Sequence, residues 1–400
     1  MFSSFSIRDF RIYWIGMFIS MCGTWIQSMA QSWLVFELSH SSFLLGLVGF
    51  FYSLPIFLFS LFSGVLVDRM NKKVILIFAQ VVFMSLAFLL AIFTQLNVVT
   101  VNFIMLMAVL NGVVLSLDAP ARQSIVVELV GRERLLNGIA LNSIAFHAAR
   151  MLGPALAGIF FATISIAGCF YINAVSFLAF IVALILIRPK ATPRDNSNHF
   201  IQDLKSGIKF IQKNRIYLIL ISIVGVVSLF GLSYMVLLPV LAKEVLNLGA
   251  RGFGLLMSAS GVGSLLAGFV IAGFKDSYKE TKFLIVTLYI LSFSLVLLAL
   301  SSSFILSAAI LVFVGFSILA STVIINSLIQ AMVPDEFRGR VMSIFILTFA
   351  GTAPFGSIIA GSLAQVLGVR IALGIIGLIC FGLFLPLIPL IRKSRQAVLS

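Results

Sequence analysis

Long apolar segments, each separated from the next by a short charged or turn-forming stretch, follow one another along nearly the whole chain of 400 residues. Apolar types make up 61% of the sequence and charged types 10%, whereas about a quarter of a soluble protein is charged. Such a chain cannot cover itself with a polar surface, and about 20 apolar residues suffice for a helix to cross a bilayer. The sequence therefore predicts an all-α, polytopic membrane protein.

Twelve of these segments have the length and composition of a membrane span. Several of them exceed about 20 residues, which allows the helices to tilt in the bilayer. We therefore expect twelve transmembrane helices joined by short loops. The predicted spans lie at 12–36, 43–66, 74–95, 101–127, 135–162, 167–187, 215–242, 252–274, 283–301, 304–332, 341–366 and 369–391.

The basic residues are distributed very unequally between the two sides of these spans. The termini and the loops on one side hold 22 of the 27 Lys and Arg residues. The opposite loops hold only Lys243, Arg251 and Arg370, and the remaining two, Arg122 and Arg150, lie within spans. Loops rich in Lys and Arg stay in the cytoplasm, so both termini are expected there. Topology thereby explains the net charge of +14, and no nucleic-acid partner is expected.

The sequence gives no sign of catalysis or of a bound cofactor. Cys22, Cys169 and Cys380 lie far apart in apolar segments, in neither a disulfide nor a metal-binding pattern. No activated serine, phosphate loop or metal-binding His/Glu motif is evident, so we expect neither an enzyme nor a cofactor. The short loops and the absence of an N-x-[ST] glycosylation acceptor favour a multi-pass protein of a bacterial cytoplasmic membrane.

The longest loop divides the chain into two sets of six spans. We expect an N-terminal six-helix bundle over 1–187, a cytoplasmic linker over 188–214 and a C-terminal six-helix bundle over 215–400. Within the linker, apolar residues recur at helical spacing from Phe200 to Ile211, which predicts an amphipathic helix lying on the inner membrane surface. A solvated linker is the alternative.

The two halves can be aligned with each other at an offset of 203 residues. Six spans per half start both halves on the same side, so an axis along the membrane normal would relate them. Two similar bundles around a central path are the architecture of an alternating-access carrier. The aligned pairs are Gly112 with Gly315, Val130 with Val333, Glu133 with Glu336, Gly153 with Gly356, and Gly158 with Gly361.

A charged loop between the second and third spans carries a recognisable motif. Its sequence from Gly64 to Lys73 is GVLVDRMNKK, which resembles G-x-x-x-D-R-x-G-R-[KR], the signature loop of the major facilitator superfamily. Asn71 replaces the usual glycine. Because asparagine tolerates a positive φ better than most residues, we expect the tight turn to be kept.

The resemblance implies that this loop acts as a conformational gate. Asp68 is expected to meet a helix N-terminus of the other half, and Arg69 to pair with an acid below the fourth span, for which Glu128 is a candidate. Breaking these contacts would open the cytoplasmic side. A basic loop that only sets the topology is the alternative. The same gate would include Gly64, Lys72 and Lys73.

Two further segments resemble one branch of the superfamily. The stretch from Asp118 to Gly158 and the stretch from Val333 to Ser343 resemble the drug/proton antiporters that include enterobactin-type siderophore exporters and macrolide efflux proteins. In the first of them, glycine followed by proline resembles the antiporter motif, and such a pair gives a bend that can hinge. A kink that serves packing alone is the alternative. We add to the expected gate Arg122, Gly153, Pro154, Arg338 and Arg340.

Ionisable groups within a span are energetically expensive and are functional candidates by default. Asp118 is the one carboxylate well inside a span, and it is our first candidate for proton coupling. A structural ion pair with Arg122, four residues on, or with Arg69 is the alternative. His147 is the second candidate, since histidine titrates near neutral pH. Arg150 is expected either to bind an anionic group of the substrate or to set the charge of the cavity.

Uncharged polar and aromatic side chains within spans are candidates for contact with a substrate. Polar residues also join helices to one another, which is the alternative for each of them. With few acids and 39 phenylalanines, the cavity suits a bulky, partly apolar compound better than a sugar. Together with the arginine, the candidates are Trp25, Gln27, Gln31, Asn111, Asn142, Arg150, Tyr234, Asn326 and Gln330.

The resemblance and these residues predict a secondary active transporter that exports amphiphilic small molecules, drugs or a siderophore, in exchange for protons. Its partners would be that small molecule, protons and membrane lipid, and the resemblance implies a monomer. A lipid or lysolipid carrier of the same fold is the main alternative, and a non-transporting membrane sensor is another. An uptake symporter fits less well because no second buried acid is available.

Overall fold

Helices make up nearly all of the chain. The computed structural model describes residues 3–189, 200–273 and 277–399, and these ranges contain no β-strand, which confirms the all-α class. A short 3-10 turn at Ser3–Ser6 precedes the first long helix. The α-helices are α1 Arg8–Ser39, α2 Ser42–Arg69, α3 Lys72–Gln95, α4 Val101–Val130, α5 Leu135–Thr163, α6 Ser165–Leu186, α7 Phe200–Lys213, α8 Arg215–Val226, α9 Tyr234–Val240, α10 Ala250–Ala272, α11 Ser277–Leu300, α12 Phe304–Met332, α13 Asp335–Leu367 and α14 Val369–Leu399.

Eleven helical segments of the described ranges are long and apolar enough to cross a membrane. One of them, Arg215–Val245, comprises α8, α9 and two π-helical turns. Helix α1 has 32 residues, but polar side chains such as Thr24, Gln27 and Gln31 dilute its apolar character, and it is not one of the eleven. Eleven of the twelve predicted spans are therefore supported by length and composition, and the first span stays a prediction.

Helix ends differ from predicted span ends where a helix continues into charged sequence. Helix α13 begins at Asp335, directly after Pro334, rather than at the predicted 341. It ends before Gly368, whose φ of 82° is a left-handed conformation that glycine adopts without strain. Hydropathy detects only the apolar part of a helix. The helix itself extends through charged sequence as far as the proline before its first residue and the glycine after its last.

The long helices pack as two sets. In the first set, α1 packs on α5 and α6, α2 on α4, and α3 on α4 and α6. In the second set, α10 packs on α12, and α11 on α12 and α14. The principal contacts between the sets are α2 with α13 and α5 with α10. We call the end of the bundle that holds both termini the proximal end, and the end that holds the turns at His40 and Gly368 the distal end.

The glycine pairs aligned by the 203-residue offset make equivalent contacts in the two halves. Gly112 of α4 packs on the Tyr52 carbonyl of α2, and Gly315 of α12 packs on the Ser260 carbonyl of α10. A Cβ at either glycine would overlap that carbonyl, so these close helix contacts require glycine. The other two aligned glycine pairs also lie at close contacts with another helix. Gly153 packs on Cys22 of α1, and Gly356 packs on Leu229 of the seventh predicted span. Gly158 packs on Arg251 of α10, and Gly361 packs on Ser42 of α2.

Contacts between the two sets extend from the distal end to the middle of the bundle. Ser41 Oγ donates to Gln365 Oε1 at 2.8 Å, and further along α2 a Cβ built at Gly49 lies 3.1 Å from Ser357 Cβ. Apolar side chains of these helices are exposed near both ends. Examples are Phe62 of α2 at 73% near the proximal end and Val366 of α13 at 80% near the distal end.

The linker contains the predicted amphipathic helix, which is α7. Its described apolar side packs against α13: Ile211 is 4% exposed, and the ring of Phe210 stacks on that of Phe337 with centroids 4.4 Å apart. Gly207 lies against Arg340 and its neighbours. The side chains of 200–205 lie outside the described part, so the predicted contact with the membrane surface stays a prediction.

Candidate substrate-binding site

Arg150 lies where α1, α5, α9 and α10 converge. The residue is 8% exposed, and its Nη2 donates to the Tyr234 hydroxyl at 3.3 Å and to Met235 Sδ at 3.9 Å. Its guanidinium carbon lies 5.6 Å from the ring centroid of Trp25. Within the described ranges, neither ion pair involves this guanidinium. A guanidinium has five N–H donors, so Arg150 retains hydrogen-bonding capacity that these two long contacts do not use.

A break in the seventh predicted span positions Tyr234. Helix α8 ends at Val226, a π-helical turn follows at Val227–Gly231, and α9 begins at Tyr234. Such π turns occur often at functional sites. The Tyr234 hydroxyl lies 2.5 Å from Ser260 Oγ, which holds the phenol between α10 and Arg150. The predicted cavity residues Trp25, Arg150 and Tyr234 are thus brought together.

Helix α5 carries two more polar groups on the proximal side of Arg150. Asn142 lies about two turns before the arginine and His147 about one turn before it. Asn142 Oδ1 and His147 Nδ1 are buried and have no hydrogen-bond partner among the described residues. The ring of Phe146 lies edge-on to two neighbouring rings, with centroid distances of 5.9 Å to Trp25 and 5.2 Å to His147. The site therefore has unused hydrogen-bonding groups along α5 as well as at the guanidinium.

A narrow gap, too small in this conformation to hold a water molecule, adjoins the guanidinium. Methionine side chains form part of its wall, and methionine readily adapts its shape to a neighbour. A small movement of α9 relative to α5 would therefore enlarge this gap without breaking a rigid wall. The gap is lined by Arg150, Tyr234, Met235, Leu238, Met257 and Ser260.

The glycine and proline of the predicted antiporter motif bring three helices close together beside Arg150. A Cβ at Gly153 would lie 2.5 Å from Trp25 Cβ in α1. On the other side of α5, Gly254 of α10 packs on the carbonyl of Pro154. Because proline has no N–H, the carbonyl of Arg150 lacks its usual helical partner. The motif is thus a tight packing point, and its action as a hinge stays a prediction.

An open cavity of about 490 Å³ lies at the proximal end of α12. Asn326 and Gln330 line it and bond to each other at 2.5 Å. Arg338 also lines it, and its Nε donates to the Gln330 carbonyl at 3.1 Å. The opposite face of α12, including Ile325 and Ile329, is fully buried. The polar face of this helix therefore turns away from the core and toward the cavity.

Asp118 forms an ion pair within the first set of helices. Its Oδ2 accepts from Arg122 Nε at 2.5 Å and its Oδ1 from Gln80 Nε2 at 2.7 Å, and the residue is 1% exposed. The guanidinium of Arg122 also lies 4.6 Å from the ring centroid of Phe180. This geometry matches the structural ion pair that the sequence left open, and proton coupling by Asp118 stays a prediction.

Three other predicted cavity residues lie in the first set of helices. Gln27 is 9% exposed, and its Oε1 accepts from Asn173 Nδ2 in α6 at 2.7 Å. Asn111 Nδ2 donates to the Met107 carbonyl of its own helix at 2.8 Å. Gln31 is half-buried near the distal end of α1. Gln27 thus joins two helices, and contact of these three residues with substrate stays a prediction.

The tight turn expected at Asn71 is kept, since only two residues separate α2 from α3, but the positive φ given as its reason is not found. The residue has φ −74° and is the N-cap of α3. Its side-chain oxygen accepts from the backbone N–H of Lys73 at 3.0 Å and of Val74 at 3.4 Å. Asparagine is a strong N-cap because its side chain satisfies the free N–H groups of the first turn. The asparagine therefore serves as a cap rather than as a substitute for glycine.

Two lysines of the same loop bind to neighbouring helices of the first set. Lys72 Nζ lies 2.8 Å from Glu128 Oε1 near the end of α4. Lys73 Nζ donates to the carbonyls of Ile185 at 3.0 Å and Ile187 at 2.8 Å, where α6 ends. A cation at a helix C-terminus satisfies free carbonyls and interacts favourably with the helix dipole. These contacts tie α3 to α4 and α6.

The remaining predicted gate residues lie at the proximal end. The side chain of Asp68 is outside the described part, so its contact with the other half stays a prediction. Arg69 is exposed at the end of α2, and no atom lies within 4 Å of a Cβ built at Gly64. The guanidinium carbon of Arg340 lies 5.4 Å from the ring centroid of Phe337.

Some residues of these clusters were not predicted from the sequence. Ser260 and Met235 complete the surroundings of the buried arginine, but serine and methionine are frequent in spans and gave no signal. Gln80 did give one, since it is an amide in an otherwise apolar span. At the distal end, Lys243 Nζ lies 5.7 Å from the ring centroid of Trp33, although its sequence position indicated only a loop.

The described residues offer no candidate metal centre. No group of three or more His, Cys, Asp or Glu side chains in these ranges is arranged to hold an ion. Cys22, Cys169 and Cys380 have free thiols. Polar groups are instead concentrated around the buried arginine and at the mouth of the cavity beside α12, which is an arrangement suited to binding an organic molecule.

Comparison with known proteins agrees with this architecture. Residues 1–396 match the family model described as transmembrane secretion effector. The chain is 25% identical over 390 residues to the staphyloferrin A transporter of Staphylococcus aureus, with 92% of each chain covered. It is 22% identical over 394 residues to macrolide efflux protein A of Streptococcus pyogenes, with 96% of each covered. Enterobactin exporters are also similar to it, so the resemblance seen in the motifs is confirmed.

A solved transporter has the same fold. The crystal structure of a bacterial homolog of the human lysosomal transporter Spinster, in an inward-facing and unoccupied conformation, superposes with a TM-score of 0.74. The two sequences are 11% identical, and the match covers 96% of this chain and 97% of that one. The relatives and the apolar spans indicate a multi-pass transporter of a bacterial inner membrane. The chain belongs to the transmembrane secretion effector family of the major facilitator superfamily.

Proposed function

We propose that the protein exports amphiphilic small molecules, drugs or a siderophore, in exchange for protons. The observation that carries this proposal is the contact of Arg150 with Tyr234, which joins the two sets of helices through a buried charged group. A charged group at such a junction is covered or uncovered as the two sets move. The efflux and export named for the relatives support the outward direction.

In this proposal the protein works by alternating access. A bundle over 1–187 and a bundle over 215–400, connected by the linker over 188–214, rock against each other as rigid bodies. The chain crosses the membrane twelve times and has both termini in the cytoplasm. The close contacts of α2 with α13 and of α5 with α10 support a closed outer side, and the cavity beside α12 supports an open inner side. A monomer suffices, because one chain supplies both bundles.

The charged loop after α2 is the proposed inner gate. Lys72 and Lys73 fasten this loop to α4 and α6 of its own bundle, so the loop would move with that bundle as one body. Asp68 and Arg69 would then make or break contacts with the second bundle as the inner side closes or opens. Arg338 and Arg340 would form the matching surface at the start of α13.

Two groups are proposed for proton coupling, and their surroundings differ. His147 lies about one turn from Arg150, and its Nδ1 has no hydrogen-bond partner among the residues described, so its protonation would change the charge of the substrate site directly. Asp118 is bound by Arg122 and Gln80, so its protonation would first have to loosen an ion pair. These contacts favour His147 as the group that senses the substrate.

Export can be tested in efflux-deficient bacteria that express the protein. Cells are loaded with fluorescent dyes, erythromycin, enterobactin or labelled lysolipid, and retention is measured with and without a protonophore. We expect at least one of the first three compounds to be expelled and the protonophore to abolish this. Export of lysolipid alone would favour a lipid carrier, and export that survives the protonophore would contradict proton coupling.

The coupling group is tested with His147→Gln and Asp118→Asn in the same cells. We expect His147→Gln to reduce protonophore-sensitive export by about tenfold or more, because proton transfer groups typically contribute at least about a hundredfold to a step. Glu133→Gln, an exposed acid on the proximal surface, is the matched control. If His147→Gln exports normally while Asp118→Asn does not, the ion pair is the coupling site instead.

A further inference from the structure

We infer that the exported compound is an organic anion and that the Arg150 guanidinium binds its ionised oxygen atoms. The inference rests on the proposed export function and names the substrate class. Of the two ligand classes found among the relatives, it favours an iron chelator, whose donor oxygens ionise, over an amine-bearing macrolide. Three features support it: the charge of the spans, the surroundings of Arg150 and the polar groups on the proximal side of that site.

The spans contain almost no acid with which to bind a cation. Asp118 is the one carboxylate well inside a span, and both of its oxygens are bound, one by Arg122 and one by Gln80. A cationic drug in a low-dielectric cavity binds best to an accessible negative charge, because an unpaired buried charge is strongly unfavourable. This chain therefore has a poor site for a cation.

Arg150 has the opposite property, because it is a buried cation with unused donors. Its two contacts are long, at 3.3 Å to a neutral hydroxyl and 3.9 Å to a sulfur, and neither balances its charge. A carboxylate or catecholate would accept two parallel N–H bonds from the guanidinium fork. The guanidinium carbon lies over the Trp25 ring, 5.6 Å from its centroid, and this cation–π contact stabilises the cation without neutralising its charge.

Polar groups that carry no negative charge lie on the proximal side of this site. On the proximal side of Arg150, buried atoms of Asn142 and His147 have no hydrogen-bond partner in the part of the chain that the structure describes. The open cavity beside α12 is lined by Asn326, Gln330 and Arg338. Arg338 would attract an anion to this cavity, since clefts of one sign of charge concentrate ions of the opposite sign. The proximal end is the side from which an exporter takes up its substrate in the proposed topology.

The inference is tested by binding to the purified full-length protein in lipid nanodiscs. The probes share one fluorophore and differ in charge: N-dansyl-phenylalanine is an anion, its amide is neutral, and dansylcadaverine is a cation. We expect the anion to bind at least about tenfold more tightly than the other two, the range expected for a hydrogen-bonded charge pair. Fluorescence titration gives each dissociation constant.

Variants identify the residue responsible for the preference. Arg150→Gln should remove the preference for the anion, whereas Arg150→Lys should keep its direction with weaker binding, since lysine retains the charge but not the fork. Arg11→Gln, an exposed arginine at the proximal end of α1, should bind all three probes as the unmodified protein does. Gel filtration and circular dichroism check that each variant is folded.

Some outcomes would overturn the inference. These are equal binding of the three probes, no binding of any probe, tighter binding of the cation, or an anion preference that Arg150→Gln leaves intact. Export of erythromycin by Arg150→Gln at the normal rate would also overturn it while leaving the export function in place. Conversely, selective binding of the anion by a protein that expels none of the tested compounds would contradict the export function and leave the anion site standing.

Discussion

At the residue scale, the charged side chains buried within the spans are in two different physical situations. Asp118 and Arg122 balance each other, and Gln80 completes the pair. Arg150 faces a hydroxyl, a sulfur and an indole ring. Burying a charge costs free energy unless the charge is paired and hydrogen-bonded. The first situation therefore contributes to holding one set of helices together, and the second leaves a cation available for a ligand.

This difference predicts how the ion pair contributes to stability. Arg122→Gln should lower the free energy of unfolding by about 3–5 kcal/mol, because it leaves Asp118 buried without a counter-charge. The double variant Arg122→Gln with Asp118→Asn should be less destabilised than Arg122→Gln alone. Denaturant unfolding in detergent micelles measures both. Additive losses in the double variant would show that the two side chains do not depend on each other.

At the element scale, glycine determines which helices can approach each other. Gly254 of α10 packs on the Pro154 carbonyl of α5, whereas no described atom of another element lies within 4 Å of a Cβ built at Gly268 of the same helix. Helices in lipid associate through such close contacts between small residues, because apolar burial does not distinguish a helix from lipid. The glycines facing the partner helix therefore set how tightly α5 and α10 close.

The role of glycine in the α5–α10 contact is tested with Gly254→Val, and Gly268→Val on the same helix is the control. Gly254→Val should destabilise the protein by about 1–3 kcal/mol, the usual range for overpacking, and should reduce export because the distal side no longer closes. Gly268→Val adds the same atoms where space is open and should change neither quantity appreciably. Thermal unfolding in detergent and export from cells provide the measurements. Equal effects of the two substitutions would contradict the closing role of the α5–α10 contact.

At the scale of the whole molecule, contacts between the two sets of helices reach from the distal end to the middle, and the open cavity beside α12 lies at the proximal end. Helices α2 and α13 take part in these contacts, at Gly49 and Ser357. Rocking of two rigid bundles about the buried arginine would exchange which end is open. Holding the distal end closed should therefore stop transport.

A reversible cross-link tests this exchange. The Cβ separation of 3.1 Å between positions 49 and 357 is close to the about 3.5–4.5 Å usual for a disulfide. With Gly49→Cys and Ser357→Cys combined, oxidation should abolish export and a reducing agent should restore it. Each single variant, treated in the same way, controls for the substitution and the oxidant. Full export by the oxidised double variant would contradict alternating access at this interface.

The sequence by itself determined most of the architecture. It predicted the all-α membrane class, eleven spans that the structure supports, and the linker helix that the structure finds at Phe200–Lys213. It also predicted the repeat, whose aligned glycines make equivalent contacts in both halves. These features depend on composition, spacing and the absence of a Cβ, and each of those properties can be read along the chain without knowing what lies across from a residue.

Only the tertiary structure decided which polar groups meet. A polar residue within a span has the same sequence signature whether it faces another helix or a cavity, because both environments satisfy its hydrogen bonds. Gln27 therefore resembled Asn326 in the sequence, although the first bonds to α6 and the second lines the open cavity. Likewise, the structure shows that Arg122 neutralises Asp118, whereas no described ion pair neutralises Arg150. Charge balance depends on neighbours brought together from distant parts of the chain, and the order of residues along the chain does not specify that by itself.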